Sequence, residues 1–415
     1  MENKRRVVIT GMGTYNPLGN DVAATWARVS AGQSGIGPIT HFDASEFKTQ
    51  FAGEVRDFDP VRLFGRRDAR RMSRMTQLAM AAADQAIAGG RLPINDSNRD
   101  RIGVVLGSGM GSMEPMIDSV HTFDQKGAYR VSPFFVPMML ADTPAAAVSI
   151  RHGLRGPNMV ISTACATGNN AIGEAAMVIR RGAADVMLAG GSEACLLPLT
   201  FAGFGVMGAL STRNGDPEGA SRPFDRDRDG FVASEGAAVL VLEELGHAQR
   251  RDAAIYGELL GYGSSADAYH ISMPAENGEG AVKSMQNALD DARLTIHDID
   301  YLNAHGTGTK LNDKGESAAI KTLFGAAAAR LPVSSTKSMH GHLLGAAGAL
   351  EAIICLQAIR AELLPPTINY TTPDPECDLD YVPNHGRPAQ IRAAMSNGFG
   401  FGGHNATIIL GRWDE

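Results

Sequence analysis

The sequence predicts a layered α/β protein made of two like halves. Three observations carry that expectation. Short β-branched runs alternate with alanine-rich helical stretches along the chain, which is the pattern of sheets covered by helices. A strand–turn–helix motif occurs twice, because Ser162-Thr163-Ala-Cys165-Ala-Thr-Gly168 lines up with Ser335-Thr336-Lys-Ser338-Met-His-Gly341, 173 positions on. A strand pattern also recurs, Gly236-Ala237-Ala-Val-Leu-Val against Asn405-Ala406-Thr-Ile-Ile-Leu, 169 positions on. Two near-equal offsets mark a duplication; chance agreement of short Ala/Gly/Ser strings is the competing explanation. The halves divide as residues 1–252 and 253–415, and a chain of 415 residues is long enough to need two cores.

The elements follow in order. Residues 7–10, 102–106, 185–189, 238–242 and 407–410 read as buried strands, and residues 75–88, 169–181, 280–292 and 343–360 as helices. The opening strand leads into Gly11-x-Gly13, which suggests a dinucleotide-binding turn. The third glycine of that fingerprint would fall at Asn16, and Pro17 follows where a helix should open, so a nicotinamide cofactor is not expected. The apolar run at 7–9 is too short for a signal peptide. The longest apolar stretch, 343–359, is broken by Glu351 and Gln357 and suits a bilayer poorly. The net charge of -7 argues against a general nucleic-acid binder. Four cysteines without CxxC spacing fit a reducing, cytoplasmic setting.

Cys165 stands on a turn where a helix is about to begin, with Ser162 and Thr163 as candidate caps. Free N–H groups and the helix dipole there favour a thiolate; a buried packing cysteine is the alternative reading. Asn303-Ala-His305-Gly-Thr307-Gly-Thr309 lets a histidine leave a strand into a flexible loop, pointing into a cleft or lying on the surface. Ser334-Ser-Thr-Lys337-Ser-Met-His340-Gly-His342 carries a lysine and two histidines, but no HExxH or third ligand supports a metal site. Asn397-Gly-Phe399-Gly-Phe401-Gly-Gly403-His404 reads as a loop whose backbone can approach a ligand and supply an oxyanion hole, or as a tight β-turn.

Together these segments resemble the β-ketoacyl-[acyl-carrier-protein] synthases, most closely the elongating type II enzymes. The resemblance runs from VVITGMG through STACATG, SRPFDRDRDGFV, SSADAYH, NAHGTGT, VSSTKSMHGHLLGAAGALE and PPTIN to SNGFGFGGHN. It implies the thiolase-like fold, with duplicated halves, mixed sheets and five αβαβα layers. It implies Cys165 as the nucleophile that takes an acyl chain from carrier-protein phosphopantetheine. His305 and His342 would donate to the malonyl thioester carbonyl, and Lys337 would order the local charge. The N–H groups of Cys165 and Phe401 would form the oxyanion hole, with Phe401 and Phe399 at the gate. Thr307 and Thr309 would touch the pantetheine arm. Met110 would line the acyl tunnel, as would Phe135 reaching in from a partner subunit of a homodimer. The basic run Arg66-Arg67-Asp-Ala-Arg70-Arg71-Met-Ser-Arg74, with Arg130, would dock the acidic acyl-carrier protein; a solvated helix face is its plainer reading. No cofactor, metal, nucleic acid or membrane is implied. Glu316 and Glu351 are expected in structural polar roles. His340 and His404 depart from the family pattern, which has threonine at both places.

Rivals are separated by single residues. Thiolases use a second cysteine in the last glycine-rich loop, where this chain has His404. Initiating synthases use Cys–His–Asn, where this chain has His342. Chain-length-factor partners lack the cysteine. Cysteine-peptidase signatures are missing around Cys165. A polyketide ketosynthase is the nearest alternative.

Overall fold

The computed structural model describes residues 5–414, so the first residues of the basic opening lie outside the described residues. The first half runs β1 (Val7–Tyr15), α1 (Arg74–Gly89), β2 (Ile102–Gly107), α2 (Thr143–His152), β3 (Asn158–Ile161), α3 (Thr167–Arg180), β4 (Val186–Glu193) and β5 (Gly236–Glu244). The second repeats it as β6 (Gly257–Ala266), α4 (Glu279–Ala292), β7 (Tyr301–Asn303), α5 (Lys310–Phe324), β8 (Val333–Ser334), α6 (Ala347–Ala361), β9 (Ala393–Gly400) and β10 (His404–Gly411). The strand order is β3-β2-β4-β5-β1 followed by its mirror, β6-β10-β9-β7-β8. In each half the outer pairings are parallel and the inner ones antiparallel. The halves meet edge to edge through Val8 opposite Glu258 and Ile9 opposite Gly257.

Helices α1 and α2 cover the outside of the first sheet, and α4 and α5 the outside of the second. Helices α3 and α6 lie between the sheets and touch both. These are the five layers of the thiolase-like fold. The central layer is largely apolar: Leu350, Ile353, Ile354 and Leu356 of α6 are all buried, each contributing about 1.5–3 kcal/mol of transfer free energy. The long apolar stretch seen in the sequence is therefore a core helix. Residues 344–361 are long and apolar enough to cross a membrane, but this segment is mostly buried in the protein.

Small residues set the spacing of the layers. Side chains at Gly11 or Gly13 of β1 would run into the carbonyls of Ala86 and Ala82 on α1. The Gly-x-Gly of the opening strand thus serves helix packing. At the centre, α3 and α6 cross where Gly168 faces Gly348. A Cβ on Gly168 would lie 2.6 Å from the backbone nitrogen of Ala349, and one on Gly348 would collide with Asn169.

The duplication holds, but its register differs from that read in the sequence. The turn that opens α3, Ala164–Ala166, corresponds to Leu344–Ala346, which opens α6. Ala164 and Leu344 share the left-handed backbone, with φ of 49° and 47°. The counterpart of Cys165 is therefore Gly345. The one-turn helix Lys337–His340 is an insertion between β8 and that turn, and it displaced the sequence match onto Ser338. The GFGFGG segment is also more regular than a loop: β9 continues to Gly400, β10 starts at His404, and only residues 401–403 turn.

A Gly168→Ala substitution should cost about 1–3 kcal/mol or more, the usual penalty for overpacking. Urea unfolding with an unchanged m-value would measure it; a neutral result would mean the helix crossing is slack.

Candidate active site

Cys165 sits on the turn between β3 and α3. Neither Ser162 nor Thr163 caps α3. The Thr163 hydroxyl donates to Asn170 Oδ1 at 2.7 Å, and the Thr167 hydroxyl accepts the Thr163 N–H at 2.8 Å. The left-handed Ala164 is a non-glycine strain of roughly 1–3 kcal/mol, held in place by neighbouring backbone. Gly400 presses on the turn so closely that a Cβ there would lie 2.6 Å from Thr163 O and 3.0 Å from Cys165 N. That contact is why the hairpin carries glycine, and it brings the Phe401 N–H to the sulfur.

The thiolate expected from the helix end is not what the resting site favours. Cys165 touches the cavity, yet protein encloses its sulfur, and burial pushes the thiol up to about 12. Lys337 and the N–H groups of Phe401 and Cys165 pull the other way, while Glu193 adds to the rise. Desolvation outweighs them because an anion loses its hydration shell there.

Both histidines of the sequence reading converge on the cysteine. One ligand atom each from Cys165, His305 and His342 lie within 4.8 Å of one another. The imidazoles stand 5.3 Å apart, edge to face. Both are held neutral, far below the usual range, by burial first and Lys337 second. The Leu344 N–H donates to His342 Nδ1 at 3.3 Å, so the ring proton is on Nε2. That Nε2–H is buried and has no partner among the described residues, and neither does His305 Nδ1. A zinc-type ligand needs Nε2 bare and its other N–H donated outward; His342 is wired the opposite way. The trio is built to donate and to attack, and it fits a metal poorly.

The supports come from helix faces. Glu316 on α5 accepts the N–H groups of His305 and Gly306, each at 2.8 Å, and burial raises its carboxyl to about 7. Asp313, one turn earlier, accepts Gly308 N–H at 3.2 Å. Two buried acids three apart on one helix thus shape the His305–Thr309 loop. Lys337 is buried behind the site, paired with Glu351 of α6. Glu193 at the end of β4 accepts from Ser108 Oγ, Gly109 N and Gly345 N at 2.8–2.9 Å, and so joins both halves. Sequence reasoning missed Glu193 and Asp313. The signal for Asp313 was present, an acid on the apolar face of a helix; Glu193 ends a strand and gave none.

One cavity of about 730 Å³ gathers Cys165, His305, His342, Thr307, Thr309, Met110, Phe399 and Phe401. Phe231, Phe204 and Met207, not foreseen, complete its wall. The Phe399 ring tilts against His305 at 5.7 Å, and Phe401 stands 40% exposed at the mouth. Phe135 does not reach this cavity; it opens the short helix Phe135–Met139 and is partly exposed. Arg66, Arg67, Arg70, Arg71 and Arg130 are exposed, with Arg71 over the Phe134 ring at 4.7 Å. Arg74 is not part of that surface. It turns inward to a two-point ion pair with Glu235, both contacts 2.6 Å, because the buried carboxylate needs a partner.

A cysteine on a helix-opening turn, two neutral imidazoles and a hairpin amide define a condensing enzyme of the thiolase fold. Residues 4–248 match the β-ketoacyl synthase N-terminal domain, and residues 256–371 match the C-terminal domain. The chain belongs to the β-ketoacyl synthase family. It is 50% identical over 414 residues to 3-oxoacyl-[acyl-carrier-protein] synthase 2 of Staphylococcus aureus strain N315, covering 100% of both chains. It is 50% identical over 409 residues to the enzyme of the same name from Coxiella burnetii, covering 99% of each. A type II polyketide ketosynthase, solved in complex with its acyl-carrier protein, superposes with a TM-score of 0.92 at 35% identity, over 99% of this chain and 100% of that one.

Because the thiol is the resting form, alkylation of Cys165 by iodoacetamide should quicken about tenfold per pH unit from about pH 7 to about pH 10. Mass spectrometry of the wild type against Cys165→Ala reads it; a plateau near neutrality would show a resting thiolate.

Proposed function

We propose that this chain condenses an acyl group held on Cys165 with malonyl-acyl-carrier protein, releasing CO2 and giving β-ketoacyl-acyl-carrier protein in fatty acid elongation. The convergence of the Cys165, His305 and His342 atoms within 4.8 Å in an apolar cavity carries the reading.

In the first half-reaction the Cys165 sulfur attacks the acyl thioester carbonyl. The developing oxyanion would be met by the N–H groups of Cys165 and Phe401, donors that need no reorganisation. His342 can only donate, so His305 is the neutral base to receive the thiol proton and hand it to the departing pantetheine sulfur. In the second, malonyl thioester takes the place of the first carrier. As CO2 leaves, the electron pair of the broken C–C bond stays on the thioester fragment as an enolate, and His342 Nε2–H and His305 would stabilise its oxygen. The enolate carbon then attacks the acyl carbon and Cys165 leaves as thiolate. Holding both carbons in one cavity makes the bond-forming step effectively intramolecular. Burial keeps both histidines neutral with Lys337 adding to it, and Lys337 offsets the Glu351 charge. No step calls for a cofactor or metal. Thr307 and Thr309, whose hydroxyls are 2.9 Å apart, are suited to the pantetheine amides.

The exposed arginines are suited to an acidic carrier protein. A homodimer is part of the proposal: Val120, Phe123 and Tyr129 are large apolar side chains left in solvent, on the same segment as Phe135. Four unpaired cysteines suit a reducing cytoplasm. The polyketide alternative is the weaker reading, since identity is 50% to the elongating synthases and 35% to the polyketide ketosynthase.

Incubation with acyl-carrier proteins of graded chain length should add one acyl group to wild type and none to Cys165→Ala. Malonyl carrier protein should then convert it to β-ketoacyl product. His342→Ala should lose decarboxylation by about 100-fold, the cost of an oxyanion donor, and His342→Gln, which keeps a donor, should lose less. Absence of any adduct on wild type would sink the reading.

A further inference from the structure

His340 is fully buried, does not line the active-site cavity, and is used by no step above. Its hydrogen bonds nevertheless join the two catalytic histidines. Nδ1 lies 2.7 Å from the Gly341 carbonyl. A carbonyl only accepts, so Nδ1 carries the proton. Nε2 is then a lone pair, and it accepts the Thr336 hydroxyl at 3.1 Å. The Thr336 oxygen in turn accepts Asn303 Nδ2–H at 3.3 Å. Asn303 ends β7, two residues before His305, while Gly341 immediately precedes His342. The chain Asn303–Thr336–His340–Gly341 therefore spans from one catalytic histidine to the other through protein interior.

The far end of that chain is a place where aim is decided. Gly341 has φ 69° and ψ −164°, and a Cβ there would collide with Ser234 Oγ. The next residue, His342, is gripped on its backbone by Val232 O and Ser234 N at 2.7 and 3.0 Å. A peptide pinned on one side and left-handed on the other has one remaining handle, its carbonyl, and His340 holds it. The ring's other neighbour, Glu351 Oε1, is 4.0 Å from Nε2. That is too far for a hydrogen bond, and the lone pair faces it, so His340 is not the proton partner of Glu351; Lys337 is.

We propose that His340 is a positioning residue for decarboxylation: through its Nδ1–H on the Gly341 carbonyl it sets the aim of the His342 Nε2–H relative to His305. This rests on the condensing function proposed above. Acyl transfer, which uses the Cys165 and Phe401 amides with His305 as base, does not draw on the His342 Nε2–H and is independent of that aim.

The test separates the half-reactions in the full-length protein. Acylation of Cys165 is followed by intact mass, and CO2 release is followed from labelled malonyl carrier protein. His340→Leu removes both hydrogen bonds. His340→Asn returns a donor where Nδ1 stood, and His340→Gln returns a polar group only where Nε2 stood. Leu and Gln should slow CO2 release by roughly 10- to 100-fold with acylation held within about twofold, and Asn should recover most of the loss. Equal rates for Asn and Gln, a parallel fall of both half-reactions, or an unaffected Leu variant would overturn the role. If His340→Leu does not fold, the Asn–Gln comparison decides alone. A wild type that releases no CO2 would instead remove the condensing function, and this proposal with it.

Discussion

The structure depends on the close crossing of α3 and α6 at Gly168 and Gly348. Two helices meeting backbone to backbone bring their first turns together at the middle of the molecule. The turns opening them, at Ala164 and Leu344, share the same left-handed strain, so strain is met by contact from the opposite half. The α3 turn presents Cys165. The equivalent place on the α6 turn is Gly345, whose amide is bound by Glu193. One copy of the motif carries chemistry, and the other leaves room for it.

Around that crossing the site is arranged by excluding water. The histidines are neutral, the cysteine is a thiol, and the Lys337 charge behind them is paired with Glu351. In such surroundings a fixed N–H dipole acts more strongly than it would in water. The arrangement has a cost, since the nucleophile is held in its less reactive form until a substrate supplies somewhere for the charge to go.

Much of this was legible in the sequence. The helices with alanine-rich, periodic faces fall within a few residues of their expected ends, and Cys165, His305 and His342 stand in segments whose composition marks them. Strand β7 was read only as the strand that His305 leaves, and its three residues, like the two of β8, carry too little pattern to fix their ends. The repeat register slipped because the inserted turn Lys337–His340 imitates the nucleophile turn in composition. The charge state of Cys165 was misread because a local rule about helix ends says nothing of how deeply the fold buries the sulfur. Arg74 resembles its exposed neighbours in sequence, and only the position of Glu235 distinguishes it. Phe135, expected at the acyl tunnel of a partner, does not line the cavity of its own chain.

The interleaving of the halves bears on how the protein is made. Strand β10 lies between β6 and β9 in the second sheet, although it follows every one of its sheet partners in chain order. The hairpin it forms with β9 delivers the Phe401 amide to a cysteine made some two hundred residues earlier. A nascent chain therefore holds Cys165 without its partner amide until the β9–β10 hairpin has been made. A prematurely terminated product would expose apolar helix faces and carry no working site. Strand order thus makes the site wait for the second sheet to close, because one hairpin serves both.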